Sequence, residues 1–268
     1  IQNAKTIIEK YSERFNSNER SSIFTTIGMT YWNINNNDKA LEYYKKALDL
    51  NNSAENFNQY AVALAETGDT ENALYYLNKS IELEPEYSLY IYNRGYYYYQ
   101  IKDYDNAEKD FKKTETLLED FDLDNSLMLM KISVKKNDFK NQLFYANRIL
   151  EEGLSSSSNY WLSEIYFNQK RYLKSIIFVS KVIDEKKSNP VILVSFEDYD
   201  NTIPEDSEII TLSDLYIKRG NLFKIIGNEL EACEDYNKAL LVIEEESKLN
   251  TLTNKMKEVK SLMLENCK

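Results

Sequence analysis

Gly28-Met29-Thr30-Tyr31, followed by Ala40-Leu41-Glu42-Tyr43-Tyr44-Lys45-Lys46-Ala47, decides the fold, because its small and large positions return about every 34 residues. The second copy places Ala61 and Leu64, then Ala73, Leu77 and Ser80, with Pro85 closing it. The third places Gly95 and Tyr98, then Ala107, Phe111 and Thr114. In the first copy Phe24, Ile27 and Tyr31 recur at helical spacing, Asn35 to Asp38 is a polar break, and Ala40, Leu41, Tyr44, Ala47 and Leu48 form a second stripe. Each unit therefore reads as helix A, a turn, helix B and a second turn. Helices about 8 to 10 Å apart need a small residue at closest approach. This reading sets Gly28 against Ala40, with Tyr31 and Tyr44 filling the wider gaps.

Three further units follow. The fourth, Leu123 to Ser155, is degenerate: Met130 and Ser133 stand for Gly and Tyr, and Gln142, Ala146 and Ile149 stand for Ala, aromatic and Ala. The fifth carries Trp161, Leu162 and Tyr166, then Tyr172, Ser175, Val179 and Val182. The sixth is clear, with Gly220 and Phe223, a Gly227-Asn228 turn, then Ala232, Tyr236 and Ala239. Between the fifth and sixth lie about 23 extra residues, Lys187 to Ile209, which a turn cannot absorb. They contain Pro190, Pro204 and the strand-like run Val191 to Phe196, so an inserted loop or hairpin is expected. At the ends, Ala4, Ile7, Ile8 and Tyr11 read as the second helix of an earlier unit, with further repeats expected ahead of Ile1. Leu249, Leu252, Met256, Val259 and Met263 read as a capping helix. The expected division is residues 1–20 (partial repeat), 21–186 (repeats one to five), 187–209 (insertion), 210–247 (repeat six) and 248–268 (cap).

These positions resemble the tetratricopeptide repeat family over nearly the whole chain. The resemblance implies an all-α, right-handed superhelical solenoid of helix-turn-helix repeats with a C-terminal capping helix. It also implies that the A helices line a concave surface on which a peptide or partner domain binds. Helix A positions left free by the packing motif, at three before and one and four after the Gly position, give Thr25, Met29 and Trp32 in the first repeat. Later repeats give Asn58, Val62 and Ala65; Tyr92, Tyr96 and Tyr99; Tyr160, Glu164 and Phe167; and Ile217, Asn221 and Lys224. The candidate partner-binding residues are Thr25, Met29, Trp32, Asn58, Tyr92, Tyr96, Tyr99, Tyr160, Phe167 and Asn221. Tyr and Trp are enriched at interface hot spots, and stacking of adjacent A helices on the same rings is an equal reading. One subset of the family clamps a chaperone's terminal carboxylate with Lys, Arg and Asn. The corresponding places here hold Ser22 and Thr26, Glu55 and Gln59, and Leu89 and Asn93, so that clamp is absent.

The chain contains no histidine, which removes the commonest general base and transition-metal ligand. Neither glycine-rich phosphate cradle, G-x-x-x-x-G-K-[ST] or G-x-G-x-x-G, occurs among its 6 glycines. Asp120-Phe121-Asp122-Leu123-Asp124-Asn125 begins like a calcium loop, but it lacks Gly at the sixth place and has Lys131 at the twelfth. It reads as an acidic inter-repeat turn. Glu244 to Glu246 read as a solvated helix face. No catalytic residue, metal or cofactor is expected, and the chain reads as a non-enzyme.

A net charge of −11 repels phosphate backbones, so nucleic acid is an unexpected partner. No apolar window approaches the roughly 20 residues of a membrane span. The two cysteines, Cys233 and Cys267, are too few for a disulfide framework and read as helix-packing residues, compatible with a reducing compartment. A cytoplasmic location is the expectation, with a periplasmic or lipid-anchored one left open because residues ahead of Ile1 are not in the sequence. Abundant Asn, Lys, Ile and Tyr point to an AT-rich, bacterial source. The sequence leaves the oligomeric state open. The first functional reading is an interaction scaffold, the alternative is an acidic inhibitory or immunity-type protein that caps a basic toxin or enzyme, and a third is a peptide-responsive regulator.

Overall fold

The computed structural model describes residues 15–153, 155–189, 210–246 and 253–267. Its regular structure among these residues is thirteen α-helices and no strand. The first repeat pairs α1 (Ser17–Trp32) with α2 (Asn37–Leu50), the second α3 (Ala54–Glu66) with α4 (Thr70–Leu83), and the third α5 (Ser88–Gln100) with α6 (Tyr104–Leu117). Helix α7 (Leu123–Lys135) and α8 (Phe139–Glu151) make the fourth repeat, and α9 (Ser155–Asn168) with α10 (Tyr172–Ser188) the fifth. The sixth pairs α11 (Leu212–Ile225) with α12 (Glu229–Glu246), and α13 (Thr253–Asn266) follows. The chain divides into two compact units, Ile1–Lys136 and Asn137–Lys268, with the division in the turn after α7.

One backbone device makes all six A-to-B turns. Asn35, Gly68, Lys102, Asn137, Lys170 and Gly227 each take a left-handed φ, between +54° and +94°. That conformation ends a helix by turning the following N–H groups back onto its last carbonyls. Accordingly, Gly68 N donates to Ala65 O and Asp69 N to Leu64 O, both at 2.9 Å. Lys102 with Asp103 and Lys170 with Arg171 repeat the pattern. The next residue starts helix B: Asn36, Asp69, Asp103 and Asp138 accept from the N–H groups of Lys39, Asn72, Asn106 and Asn141. The turns are 33 to 35 residues apart, except that Lys170 and Gly227 are separated by 57, which locates the extra 23 residues between repeats five and six.

The motif residues form the cores. In unit 1, Ile27, Tyr31, Ala40, Tyr43 and Tyr44 pack with Ala63, and Ala61 and Leu77 pack with Tyr97. In unit 2, Val179, Val182 and Ile183 join Leu215, Leu222, Ala232, Tyr236, Ala239 and Val259. Of the degenerate fourth copy's motif positions, Met130 and Ser133 are buried in unit 1, and Gln142, Ala146 and Ile149 are buried in unit 2.

Several sequence readings are corrected. Gly28 gives way to the Tyr44 ring rather than to Ala40: a Cβ there would lie 2.7 Å from two ring carbons. Gly220 faces Tyr236 in the same way, at 2.6 Å. Helix α1 starts at Ser17, four residues ahead of the expected start of repeat one, because Asn16 and Glu19 form a capping box. Helix α10 runs through Ser188, two residues into the stretch expected as the insertion. The reading of Asp120 to Asn125 as an inter-repeat turn stands, with Asp122 accepting from Asn125 N at the start of α7. The reading of Cys233 and Cys267 as separate packing residues fails: they form a disulfide joining α12 to the residue after α13. The expected helix at Ala4 to Tyr11, the run Val191 to Phe196, and Leu249 and Leu252 lie outside the described residues.

Candidate functional site

The helix A face of unit 1 is built on a buried polar seam between the first two repeats. Ser21 Oγ donates to the Ala47 carbonyl at 2.9 Å, and Asn56 Nδ2 donates to Ser21 Oγ and to the Asn51 carbonyl, each at 2.8 Å. Thr25 Oγ1 donates to Asn56 Oδ1 at 3.0 Å. Buried polar groups must be paired, and this network fixes α3 against α1. It floors an open pocket of about 160 Å³ whose rim carries Asn18, Ser22, Thr26, Met29 and Glu55.

Met29 also borders a second pocket, of about 110 Å³, lined by Trp32, Asn33, Tyr44, Gln59 and Val62. Two of the ten candidate residues, Met29 and Trp32, thus come together here with Val62. Val62, Ala65 and the Tyr96 of α5 all pack against the next core cluster of Ala61, Leu77 and Tyr97. Met29 keeps 46% of its surface exposed and is therefore open to a ligand in either pocket. Burial pushes the Tyr44 phenol up to about 12, so the ring presents a neutral wall to the second pocket.

The other unit 1 candidates divide. Thr25 and Asn58 are buried, and their polar atoms are engaged: Thr25 with Asn56, and Asn58 Oδ1 accepting from Asn93 Nδ2 at 2.9 Å. They join neighbouring A helices. Tyr92, Tyr96 and Tyr99 are half-buried. The Tyr92 ring meets Phe111 edge-on at 5.2 Å, Tyr96 meets Tyr97 edge-on at 5.5 Å, and Tyr99 is tilted on Tyr104 at 5.6 Å. Such contacts hold the rings rigid while leaving part of each accessible.

In unit 2 the candidates converge on a residue the sequence reading did not select. Lys218 forms an ion pair with Glu164 and lies over the rings of Tyr160, at 5.1 Å, and Phe167, at 5.8 Å. Repeat five thereby cages a cation supplied by repeat six. Lys218 sits two residues before Gly220, outside the three offsets used to choose the face. Asn221 Oδ1 accepts from the Tyr236 hydroxyl at 2.9 Å and so faces its own helix B. Ile217 is half-buried and Lys224 exposed.

The helix A face of unit 1 offers apolar recesses, ring faces and hydroxyl groups. Among the described residues no group of three or more Cys, Asp or Glu side chains is placed to hold a metal ion.

The tetratricopeptide repeat family model matches residues 21–53, 54–87 and 90–115. Residues 21–115 are thus tetratricopeptide repeats. Solved structures of proteins with such repeats align with the chain almost end to end. One from Parabacteroides merdae is 20% identical with a TM-score of 0.56, covering 98% of this chain and 90% of that one. The C-terminal part of one from Cytophaga hutchinsonii is 11% identical with a TM-score of 0.68, covering 89% and 88%. YrrB, described as a tetratricopeptide-repeat protein with an unusual peptide-binding site, is 19% identical with a TM-score of 0.55, covering 75% and 92%. Among curated proteins, human general transcription factor 3C polypeptide 3 is 25% identical over 177 residues, 62% of this chain. The match spans only 20% of that protein's length. Tetratricopeptide arrays serve generally as non-enzymatic scaffolds that bind peptides or proteins. No helix among the described residues is long and apolar enough to cross a membrane.

Proposed function

We propose that this protein is a scaffold that holds an extended peptide or a partner domain's exposed segment against the helix A face of its repeats. The observation that carries this reading is the apolar recess between α1 and α3, where Met29, Trp32 and Val62 meet beside the polar pocket. It is supported by the half-buried rings of α5 and by the peptide-binding site described for YrrB, which shares the fold. Binding in such a groove derives mainly from a few well-packed anchors.

The second reading, an acidic inhibitor of a basic protein, draws on the net charge of −11. Affinity capture at low and moderate salt, with native bait beside bait carrying Met29→Ala and Trp32→Ala, separates the two. Groove binding predicts retention that survives moderate salt and is lost in the double variant. An inhibitor predicts one basic protein, released by salt and indifferent to the two substitutions.

A further inference from the structure

The two pockets between α1 and α3 differ in chemistry. Their combined lining contains one charged side chain, the exposed Glu55, which makes no ion pair among the described residues. Around it stand the hydroxyls of Ser22 and Thr26, while the neighbouring recess is walled by Met29, Trp32 and Val62. The Arg94 guanidinium on α5 is already committed to Asp110 and Asn78. A peptide carboxylate would therefore meet no cation in this lining and one like charge. A basic side chain would meet a carboxylate flanked by acceptor hydroxyls, with the field of a strongly acidic protein aiding its approach.

Unit 2 shows the same chemistry satisfied from within, since the Lys218 ammonium rests on the Glu164 carboxylate between two helix A rings. We infer that the α1–α3 pockets of unit 1 select a segment carrying Lys or Arg close to a large apolar side chain. The cation pairs with Glu55 and the apolar group enters the Met29–Trp32–Val62 recess. This inference rests on the groove-binding reading above.

The test is a positional-scanning library of immobilised decapeptides probed with the full chain. The expected pools are enriched in Lys or Arg together with Leu, Met or Phe. Glu55→Gln should weaken the best peptide by about fivefold, the scale of a partly exposed charge pair, and erase the preference for Lys over Gln. Enrichment of acidic peptides or of free C-terminal carboxylates would overturn the inference, as would unchanged affinity and preference in Glu55→Gln. Neutral pools lost on Met29→Ala with Trp32→Ala would overturn it while sparing the groove. Pools indifferent to that double variant would remove both.

A different observation carries a second inference, about compartment. The chain's 2 cysteines pair with each other, Cα to Cα 5.7 Å, although 34 residues separate them. They fasten the end of α13, which is also held by its Lys255 pair to Asp214, by buried Val259 and by Met256, Leu262 and Met263 on the same core. Glutathione and thioredoxin keep such a pair reduced in most cytosols. The geometry points to an oxidising compartment, in place of the expected cytoplasm. There the two thiols lose two protons and two electrons to the disulfide of a thiol–disulfide oxidoreductase, which leaves as a dithiol. Lysing the native host in N-ethylmaleimide and weighing the intact chain tests this. An unalkylated mass is expected, and addition of two reagent molecules would overturn it.

Discussion

Arg219 and Asp235, sixteen residues apart on α11 and α12, meet as a two-pronged ion pair, with Nε to Oδ2 at 2.6 Å and Nη2 to Oδ1 at 2.7 Å. Arg94 and Asp110 repeat it between α5 and α6, also sixteen residues apart. In each case the third arm reaches the preceding repeat, at Ser180 or Asn78. The Asp235 side chain is 2% exposed and that of Arg219 15%, so the pair is largely out of water. Removing one partner strands the other. Asp235→Asn should cost about 2 to 4 kcal/mol, and Arg219→Met with Asp235→Leu should recover most of it. Urea unfolding of the two variants beside the native chain checks this, and a double variant as weak as the single one would refute it.

The motif glycines are not equivalent. A Cβ would lie 2.7 Å from the Tyr44 ring at Gly28 and 2.6 Å from the Tyr236 ring at Gly220, but no closer than 3.1 Å to anything at Gly95. Both rings are buried, so they cannot swing aside. Overpacking should outweigh the gain of about 1 kcal/mol in helix propensity, leaving Gly28→Ala and Gly220→Ala less stable by about 1 to 2 kcal/mol. Gly95→Ala should be near neutral. Thermal melts that rank the three otherwise would contradict the packing.

The spacing of small and large residues sufficed to find the six repeats, because each repeat needs the same close crossing. Which polar residues are spent inside was not legible. Thr25 and Asn58 sit at free offsets, yet their partners Asn56 and Asn93 lie on the next helix A, and a single-helix period carries no information about that neighbour. Lys218 was missed because its long side chain reaches back to the preceding repeat. The disulfide was missed for a related reason, since it depends on how α13 docks. The Arg–Asp pairs did leave a trace: each Arg precedes a motif Gly and each Asp precedes a motif aromatic.

Left-handed turns offer a route to stabilisation. Lys102 and Lys170 hold φ of +64° and +58°, which strains any residue with a Cβ. The glycines at the matching places, Gly68 and Gly227, have nothing within 4 Å of a built Cβ, so backbone freedom alone explains them. Lys102→Gly and Lys170→Gly should each stabilise by about 0.5 to 1 kcal/mol, read as a higher urea midpoint. Gly68→Ala should move it down.

Burial pushes the Tyr44 and Tyr90 phenols each up to about 12 from 10.0, and Tyr97 rises for the same reason. Because the folded values lie above the unfolded ones, this stability is complete below pH 10.0 and is lost as pH rises towards about 12. Urea midpoints should hold up to pH 10.0 and then fall. Tyr44→Phe should show a shallower fall, and an equally steep one would remove Tyr44 from the account.

The chain has 5 methionines, of which Met29 alone borders the two pockets, while Met128 and Met130 are buried. Methyl-labelled methionine spectra, recorded as the best decapeptide from the library is added, test the binding face most directly. Saturable shifts confined to Met29 are predicted. Peptide binding that leaves Met29 unmoved, or that moves Met256 or Met263 instead, would contradict a groove on the helix A face of unit 1.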